Sequence, residues 1–326
     1  MKEELLKLLR SRDGFLSGQA ICDSLGVSRT AVWKWVNQLK EEGYEIESVT
    51  RKGYRLLSSP DRMTKEEVDR SLTTRMIGRS YIYMEEVDST NEEVKRLAAK
   101  GAPHGTVVAA DMQTKGKGRR GRSWSSPKGD SVYMSLLLRP EMETIHASML
   151  TLVIALSAAQ AVEEVTGYPC QIKWPNDIVC NNKKICGILT EMSAEMECIH
   201  YVVIGIGINV NTEGFPEEIA SMATSLKLET GQRINRADLA AAVLNHFEKN
   251  YEAFMKQSSL APLTDAYNDK LINIGRQVKI ISRGEEMVRI SKGIDADGAL
   301  IVCDEKGRTE KIISGEVSVR GLYGYV

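Results

Sequence analysis

The chain has 326 residues, 42% of them apolar and 27% charged, with a formal net charge of −1. That balance fits a folded protein of two or three domains, and any contact with nucleic acid must come from a local basic patch rather than from overall charge. The Met1 end is charged rather than apolar, and the most apolar run, 149–159, is short for a bilayer span and contains Thr151 and Ser157, so a cytoplasmic protein with no membrane partner is expected.

Residues 2–10 carry Leu5, Leu6, Leu8 and Leu9 between charges, the pattern of an amphipathic helix. Residues 17–25 read as a short helix, Gly26 as the turn after it, and Ser28 as the N-cap of a third helix. In that third helix Val32, Trp35, Val36 and Leu39 recur at i, i+3, i+4 and i+7. Its other face carries Arg29, Thr30, Trp33, Lys34, Asn37 and Gln38, side chains that bond phosphates and base edges. Strand-like 45–49 and 54–57 follow, joined at Arg51-Lys52-Gly53. Three helices and a basic-tipped hairpin describe a winged helix-turn-helix, with Arg29, Thr30, Trp33, Lys34 and Asn37 as the set that meets DNA. A small helical protein-interaction module is the alternative. Charge does not separate the two, since residues 1–57 hold ten basic and eight acidic side chains.

Ser58-Ser59-Pro60-Asp61 reads as a linker, and Thr64-Lys65-Glu66-Glu67 has the form of a capping box opening a new helix. Residues 81–87 alternate like a strand and run into Asp88-Ser89-Thr90-Asn91-Glu92-Glu93, where a helix starts and continues through Val94, Leu97 and Ala98. A helix N-terminus after a strand can hold a polar ligand group, or Ser89 and Thr90 can be caps and nothing more; both readings are open.

Residues 106–111 form a strand that feeds a stretch, 113–124, with five basic side chains, three glycines and no acid. Glycines let backbone approach a ligand, and free N–H groups beside Lys and Arg make an anion site. The stretch therefore reads as a mobile loop that folds over a phosphate or carboxylate. Gly116, Gly118 and Gly121 fit G-x-G-x-x-G, and 116–123 nearly fits a P-loop. Both motifs need a helix directly afterwards, and Ser125-Ser126-Pro127-Lys128-Gly129-Asp130 does not start one. A solvated basic loop or a nucleic-acid patch is the alternative.

Residues 132–138 are strand-like, and 146–166 form a long, largely apolar core helix. Lys173-Trp174-Pro175-Asn176-Asp177 leads into a hairpin, with Ile178-Val179 before a turn at Asn181-Asn182 and 183–191 after it. Lys184, at the start of the second strand, is either a surface charge or aimed into a pocket. Residues 201–211 are a buried strand in which Gly205 and Gly207 mark close approach by a ligand or another backbone. Residues 236–256 are a further helix. From Ile274 the texture changes to short strands at 277–282, 287–294, 300–303, 310–313 and 317–319, with turns at Asp297-Gly298 and Lys306-Gly307, a pattern for a small SH3-like β-barrel. The six cysteines form no C-x-x-C pair and the four histidines stand alone, so reduced thiols and no transition-metal site are expected.

Several of these motifs, in this order and over the whole chain, resemble the biotin protein ligases that double as the biotin operon repressor. The resemblance is carried by Asp88-Ser89-Thr90-Asn91, the 116–124 loop, Lys173-Trp174-Pro175-Asn176-Asp177, Lys184 ahead of Gly187-Ile188-Leu189, and Gly205-Ile206-Gly207-Ile208-Asn209-Val210-Asn211. The N-terminal winged helix and the C-terminal barrel complete it. It implies an α+β architecture: a winged helix-turn-helix at 1–60, a central α/β ligase domain with a mixed sheet at 61–273, and an SH3-like barrel at 274–326. It also implies an enzyme that joins biotin to ATP, giving biotinyl-5′-adenylate and pyrophosphate, with Mg²⁺ accompanying the ATP. The biotin then passes to one lysine of a carboxylase's biotin carboxyl carrier domain. With adenylate bound, such a protein forms a homodimer on operator DNA and represses biotin genes.

Residue roles follow from the resemblance. Ser89, Thr90 and Gln113 would bond the ureido head of biotin, with Asn91 beside them and the Gly187 and Gly205 strands as the apolar wall. Gly116, Lys117, Gly118 and Arg119 would close over the biotin chain and the phosphate. Lys184, with Arg119 the catalytic pair, would meet the carboxylate and then the α-phosphate, where charge grows. Arg122, Trp124, Asn176, Asp177 and Asn209 would serve the ATP and adenylate, Asp177 being the Mg²⁺ ligand. One departure stands out: Lys117 occupies a position often held by Arg, keeping the charge but losing the two-pronged fork. Two rival readings remain, a repressor that senses a small molecule without ligase activity and a lipoate or octanoyl transferase of related fold. Lys184 with Asn176 and Asp177 favours an enzyme, and the Gly/Arg loop favours biotin.

Overall fold

The computed structural model describes residues 1–195, 198–282, 285–313, 318–321 and 325–326. Packing divides them into two compact units, Met1–Arg62 and Met63–Val326.

In the first unit, helices α1 (Lys2–Arg10), α2 (Gly18–Leu25) and α3 (Arg29–Glu41) bury Leu5, Leu9, Ile21, Val32, Val36 and Leu39 in one small core. The hairpin β1 (Glu45–Val49) and β2 (Gly53–Ser58) closes it through Ile46. Ser17 and Ser28 cap the second and third helices, their hydroxyls accepting from the N–H groups of Ala20 and Ala31. A Cβ on Gly53 would stand 2.0 Å from the Leu16 carbonyl oxygen, so only glycine lets the wing bridge to that segment.

The second unit opens with α4 (Lys65–Val68), a single turn. The capping box expected there does not form. Thr64 makes no side-chain cap bond, and the buried Glu67 pairs with Arg70 at 3.1 Å. The frame of the unit is a mixed sheet of seven strands: β3 (Tyr81–Val87), β4 (Val107–Gln113), β5 (Ser131–Leu138), β6 (Gln171–Lys173), β7 (Asp177–Cys180), β8 (Lys183–Glu195) and β9 (Cys198–Asn209). Their order across the sheet is β3-β4-β5-β9-β8-β7-β6. The first two pair in parallel across α5 (Thr90–Ala99), and the remaining pairs are antiparallel. Asn181 and Asn182, at φ 45° and 63°, make the tight turn between β7 and β8.

Strand alternation decides what each face does. Met134, Leu136, Ile188, Ile204, Ile206 and Ile208 share one core with α6 (Leu150–Thr166) and with a later helix, Arg236–Met255. On the opposite face the same strands present small or polar residues in register: Ser131 opposite Asn209, Tyr133 opposite Gly207, Ser135 opposite Gly205, and Gly187 opposite Gly207. The far part of that face lies under α5, where Val94 and Ala98 pack on Val108, Leu137 and Val203.

The apolar run taken from the sequence as too short for a bilayer belongs to a longer helical stretch, Thr144–Thr166, which does meet the length and composition of a span. It is a core helix: 72% of its most apolar window is buried within the protein. Three short helices escaped the sequence reading. They are α7 (Glu217–Ala220) and α8 (Leu226–Thr230), ahead of the long α9 (Arg236–Met255), and α10 (Thr264–Lys270) after it.

Beyond them β10 (Gln277–Ser282), β11 (Glu285–Ile294), β12 (Leu300–Cys303), β13 (Thr309–Ile312) and β14 (Ser318–Gly321) form an antiparallel sheet in the order β13-β12-β11-β10-β14. Residue 317, expected to open the last strand, lies outside the described residues. Val278, Ile280, Leu300 and Val302 join the core of the larger sheet, and Trp174 Nε1 donates to the Gly298 carbonyl at 3.2 Å. The barrel is thereby fastened to the segment that carries Asn176 and Asp177.

Candidate active site

Gly187, Gly205 and Gly207 form a flat shelf on the polar face of β8 and β9. An added Cβ on Gly187 or Gly207 would lie 2.8 Å from the Trp124 indole, and one on Gly205 would lie 2.2 Å from Asn91 Oδ1. The glycines are thus required by close approach of side chains from above. The indole N–H of Trp124 is buried there without a partner.

The loop that carries Trp124 folds back on itself. Gly118 N–H donates to Arg122 O at 2.7 Å, Trp124 N–H to Gly116 O at 2.9 Å, and Gln113 N–H to Ser126 O at 3.2 Å. Its tip is a short turn at Arg119–Gly121 with Arg120 at φ 58°, and no helix follows, as the sequence implied. Lys117 Nζ reaches Glu92 Oε1 at 2.6 Å, and Arg119 donates to Asn176 Oδ1 at 2.9 Å. Burial lowers the Arg119 guanidinium from its ordinary value, while the Asp177 carboxylate acts the other way.

Beneath the loop lies a polar cluster. Gln113 Oε1 accepts from the Thr90 N–H at 2.9 Å and from its hydroxyl at 3.2 Å. Gln113 Nε2 donates to Ser126 Oγ at 2.9 Å. Ser135 Oγ lies 2.7 Å from Thr90 Oγ1 and 2.6 Å from Asn91 Oδ1, and Asn91 Nδ2 donates to Glu191 at 2.7 Å. Ser89 occupies the N-cap position of α5 but makes no side-chain cap bond, so neither hydroxyl at this helix start is spent on capping. A small chamber of about 50 Å³ opens here, lined by Ser89, Thr90, Asn91, Gln113, Lys117 and the three shelf glycines among others.

At the other end stands a charged cluster. Lys184 Nζ is 2.6 Å from Asp177 Oδ1, which also accepts from Asn176 Nδ2 at 3.1 Å. The other carboxylate oxygen of Asp177 accepts from the Tyr325 hydroxyl. Burial, and then the Asp177 charge, push the Tyr325 phenol up, so it stays a donor. The Lys173 ammonium sits 3.4 Å above the Tyr325 ring. The backbone of Lys184 is bonded on both sides to one segment: its N–H donates to Met222 O at 2.7 Å, and its carbonyl accepts from Thr224 N–H at 2.9 Å. A cavity of about 620 Å³ opens beside this cluster, walled by Arg122, Asn209, Met222 and Tyr325 among others. That volume lies within the usual range of ~300–1,000 Å³ for small-molecule sites, and the smaller chamber falls below it.

The structure brings together nearly all the expected site residues. Gly118, Arg119, Trp124, Asn176 and Lys184 line both cavities. Arg122, Asp177 and Asn209 face the larger one, and Asn209 Nδ2 is held by Thr224 O at 3.1 Å. Gly116 lines neither; it lets the loop base close, a Cβ there standing 2.3 Å from Trp124 O. Ser135, Glu191, Glu92 and Tyr325 were missed. Ser135 alone carried a signal, as a polar residue inside an apolar strand. Among the described residues, no three His, Cys, Asp or Glu side chains gather as a metal cage. In the first unit, Arg29, Thr30, Trp33 and Lys34 are exposed on α3 and Asn37 is partly exposed. Trp33 is 60% exposed, unusual for so large a ring.

Three family models match: an HTH domain over residues 2–55, the biotin/lipoate A/B protein ligase family over 83–209, and the biotin protein ligase C terminal domain over 274–320. The chain is 39% identical to the bifunctional ligase/repressor BirA of Bacillus spizizenii, covering 98% of each protein. It is 31% identical to the protein of the same name from Escherichia coli, covering 97% of this chain and 96% of that one. The solved biotin protein ligase from Aquifex aeolicus in complex with biotin and ATP superposes with a TM-score of 0.66 at 35% identity, over 74% of this chain and 99% of that one. Similarity along nearly the full length, including the N-terminal unit, joins the glycine shelf and its charged neighbour in one conclusion: the chain belongs to the biotin protein ligase family, in the branch of bifunctional ligase/repressors.

Proposed function

We propose that the small chamber receives the head of biotin, the larger cavity receives ATP, and the wall they share is where the substrates react. The protein is an ATP-dependent biotin–protein ligase and repressor. The observation that carries the assignment within the site is that Arg119, Trp124, Asn176 and Lys184 line both cavities. A biotin carboxylate oxygen attacks the α-phosphorus of ATP there, the bond to the bridging oxygen breaks, and pyrophosphate leaves. Lys184 neutralises charge on the α-phosphate as it grows, and Arg119 closes over the mixed anhydride and excludes water. An amine of the carrier lysine then attacks the acyl carbon, and AMP departs. Ser89, Thr90, Asn91 and Gln113 orient the ureido ring, while Arg122 and Asn209 serve the nucleotide.

Mg²⁺ fits this donor set, because it takes few carboxylates and completes its shell with phosphate and water. Asp177 is the residue that would hold it, and the ion would supply neutralisation of the triphosphate.

The modules are 1–60 for DNA, 61–273 for ligation and 274–326 for the barrel. The partner in ligation is a biotin carboxyl carrier domain, and the setting is the cytoplasm. The adenylate-bound protein dimerises and places two copies of α3 on operator half-sites, with Arg29, Thr30, Trp33, Lys34 and Asn37 toward the DNA. Two half-sites release about twice the counterions of one and steepen the salt dependence. The test is incubation with biotin, labelled ATP and a carrier domain, alongside operator titration over a range of salt with and without an adenylate analogue. Pyrophosphate, biotinylated carrier and analogue-dependent operator binding are expected. Binding of biotin without pyrophosphate release would leave only a sensor.

A further inference from the structure

We infer that Tyr325 is a positioning residue for adenylation: its hydroxyl holds the Asp177 carboxylate when Lys184 leaves it for the phosphate. The inference rests on the reading of the larger cavity as the nucleotide site. Nothing in the local sequence ties Tyr325 to this chemistry, since 148 positions separate it from Asp177.

Lys184 and Asp177 neutralise one another at 2.6 Å, with only 23% and 14% of their side chains exposed. An anionic phosphate beside Lys184 competes for the same ammonium. When Lys184 turns to it, the largely buried Asp177 carboxylate, which would also hold Mg²⁺, loses that ammonium and must be kept in place by its remaining hydrogen-bond donors. Among the described residues two such donors are in place: Asn176 Nδ2 on Oδ1, and the Tyr325 hydroxyl on Oδ2. The Tyr325 ring is a fixed platform for that bond. It lines the larger cavity, and the Lys173 ammonium, on a side chain that is itself buried, lies 3.4 Å from its centre. Without the hydroxyl, Asp177 holds Lys184 more tightly, and ATP must compete harder for it. Biotin's ring, bound at the far end of the site, is unaffected.

The experiment is Tyr325→Phe, which keeps the ring over Lys173 and removes only the donor. Affinity for a non-hydrolysable ATP analogue is measured by calorimetry with biotin present, and biotin affinity is measured separately. The expected result is an ATP affinity about tenfold weaker, the scale of one hydrogen bond to a charged group, with biotin affinity unchanged. In an Asp177→Asn background, where no carboxylate needs holding, the same change should have a much smaller effect. Three results would overturn the inference: full ATP affinity in Tyr325→Phe, an equal loss of biotin affinity, or the same loss in both backgrounds. Failure of the unaltered protein to bind the analogue is a different result, which overturns the nucleotide assignment and this inference with it.

Discussion

Lys117 Nζ stands 2.6 Å from Glu92 Oε1, a contact that ties the tip side of the glycine loop to the first turn of α5. Glu92 also accepts from Lys95, Lys95 bonds Glu191, and Glu191 accepts from Asn91, so the tie runs on into the wall of the small chamber. A half-exposed ion pair is worth ~1 kcal/mol or less, which makes a latch that opens readily. A lysine serves this contact as well as an arginine would, since one point charge meets one oxygen.

Glu92→Gln should therefore speed escape of biotinyl-adenylate about two- to fivefold and leave the rate of its formation unchanged. Lys117 first, and then Lys95, hold the Glu92 carboxyl below its ordinary range. A depressed carboxyl keeps its partner above the ordinary carboxylate pKa and loses it as pH falls through the lowered value. In the unaltered protein escape should accordingly rise only in acid. Equal retention by the two proteins at neutral pH would show that the loop is held by something else.

Lys184→Ala should lower the rate of adenylate formation by ~10²–10³, or about 3–4 kcal/mol, the usual loss when one charge-stabilising donor is removed at a transition state. The fold should persist, with some loss of melting temperature because the largely buried Asp177 carboxylate loses its partner. Pyrophosphate release is the readout, and near-normal release would remove Lys184 from the mechanism.

On the proposed assignment, biotin should displace Trp124. The small chamber, at about 50 Å³, is far below the size of a ligand site while the indole rests on Gly187 and Gly207. Addition of biotin should change the tryptophan emission of the protein, and Trp124→Phe should abolish the change. Retention of the full signal in that variant would mean that the indole stays where it is.

Acid should expose a separate weakness at Glu248. Burial raises this carboxyl, but N–H donors from Arg75, Ile77 and Met76 more than offset that, and its net shift is downward. Its contribution is complete above the ordinary carboxylate pKa and is lost as pH falls through the lowered value. Glu248→Gln should cost about 1–3 kcal/mol at neutral pH, because buried donors lose a charged acceptor. Urea midpoints for the two proteins should converge once the pH has fallen below that lowered value, and a gap that persists there would assign the effect to packing.

What could be read from the sequence was whatever a short window contains. The Ser28 cap, the Asn181-Asn182 turn and the basic glycine loop each depend on neighbours a few positions away. The glycine shelf was half visible: Gly205 and Gly207 showed their spacing, but the match of Gly187 to Gly207 and of Ser135 to Gly205 exists only once the strands pair. The same holds for Tyr325, which reaches Asp177 only because the barrel docks beside Trp174. Thr64 misled for the opposite reason. Its local pattern was right for a capping box, but Glu67 was drawn to Arg70 instead.

The two backbone bonds of Lys184 to Met222 and Thr224 make the floor of the larger cavity and the reacting charge one rigid part. A substitution at Met222 that reshapes this wall by moving its backbone should also shift the strand from which Lys184 projects. On the proposed assignment, preference among nucleotides and speed of turnover are geared together at that point, and a variant selected there for one should arrive with a change in the other.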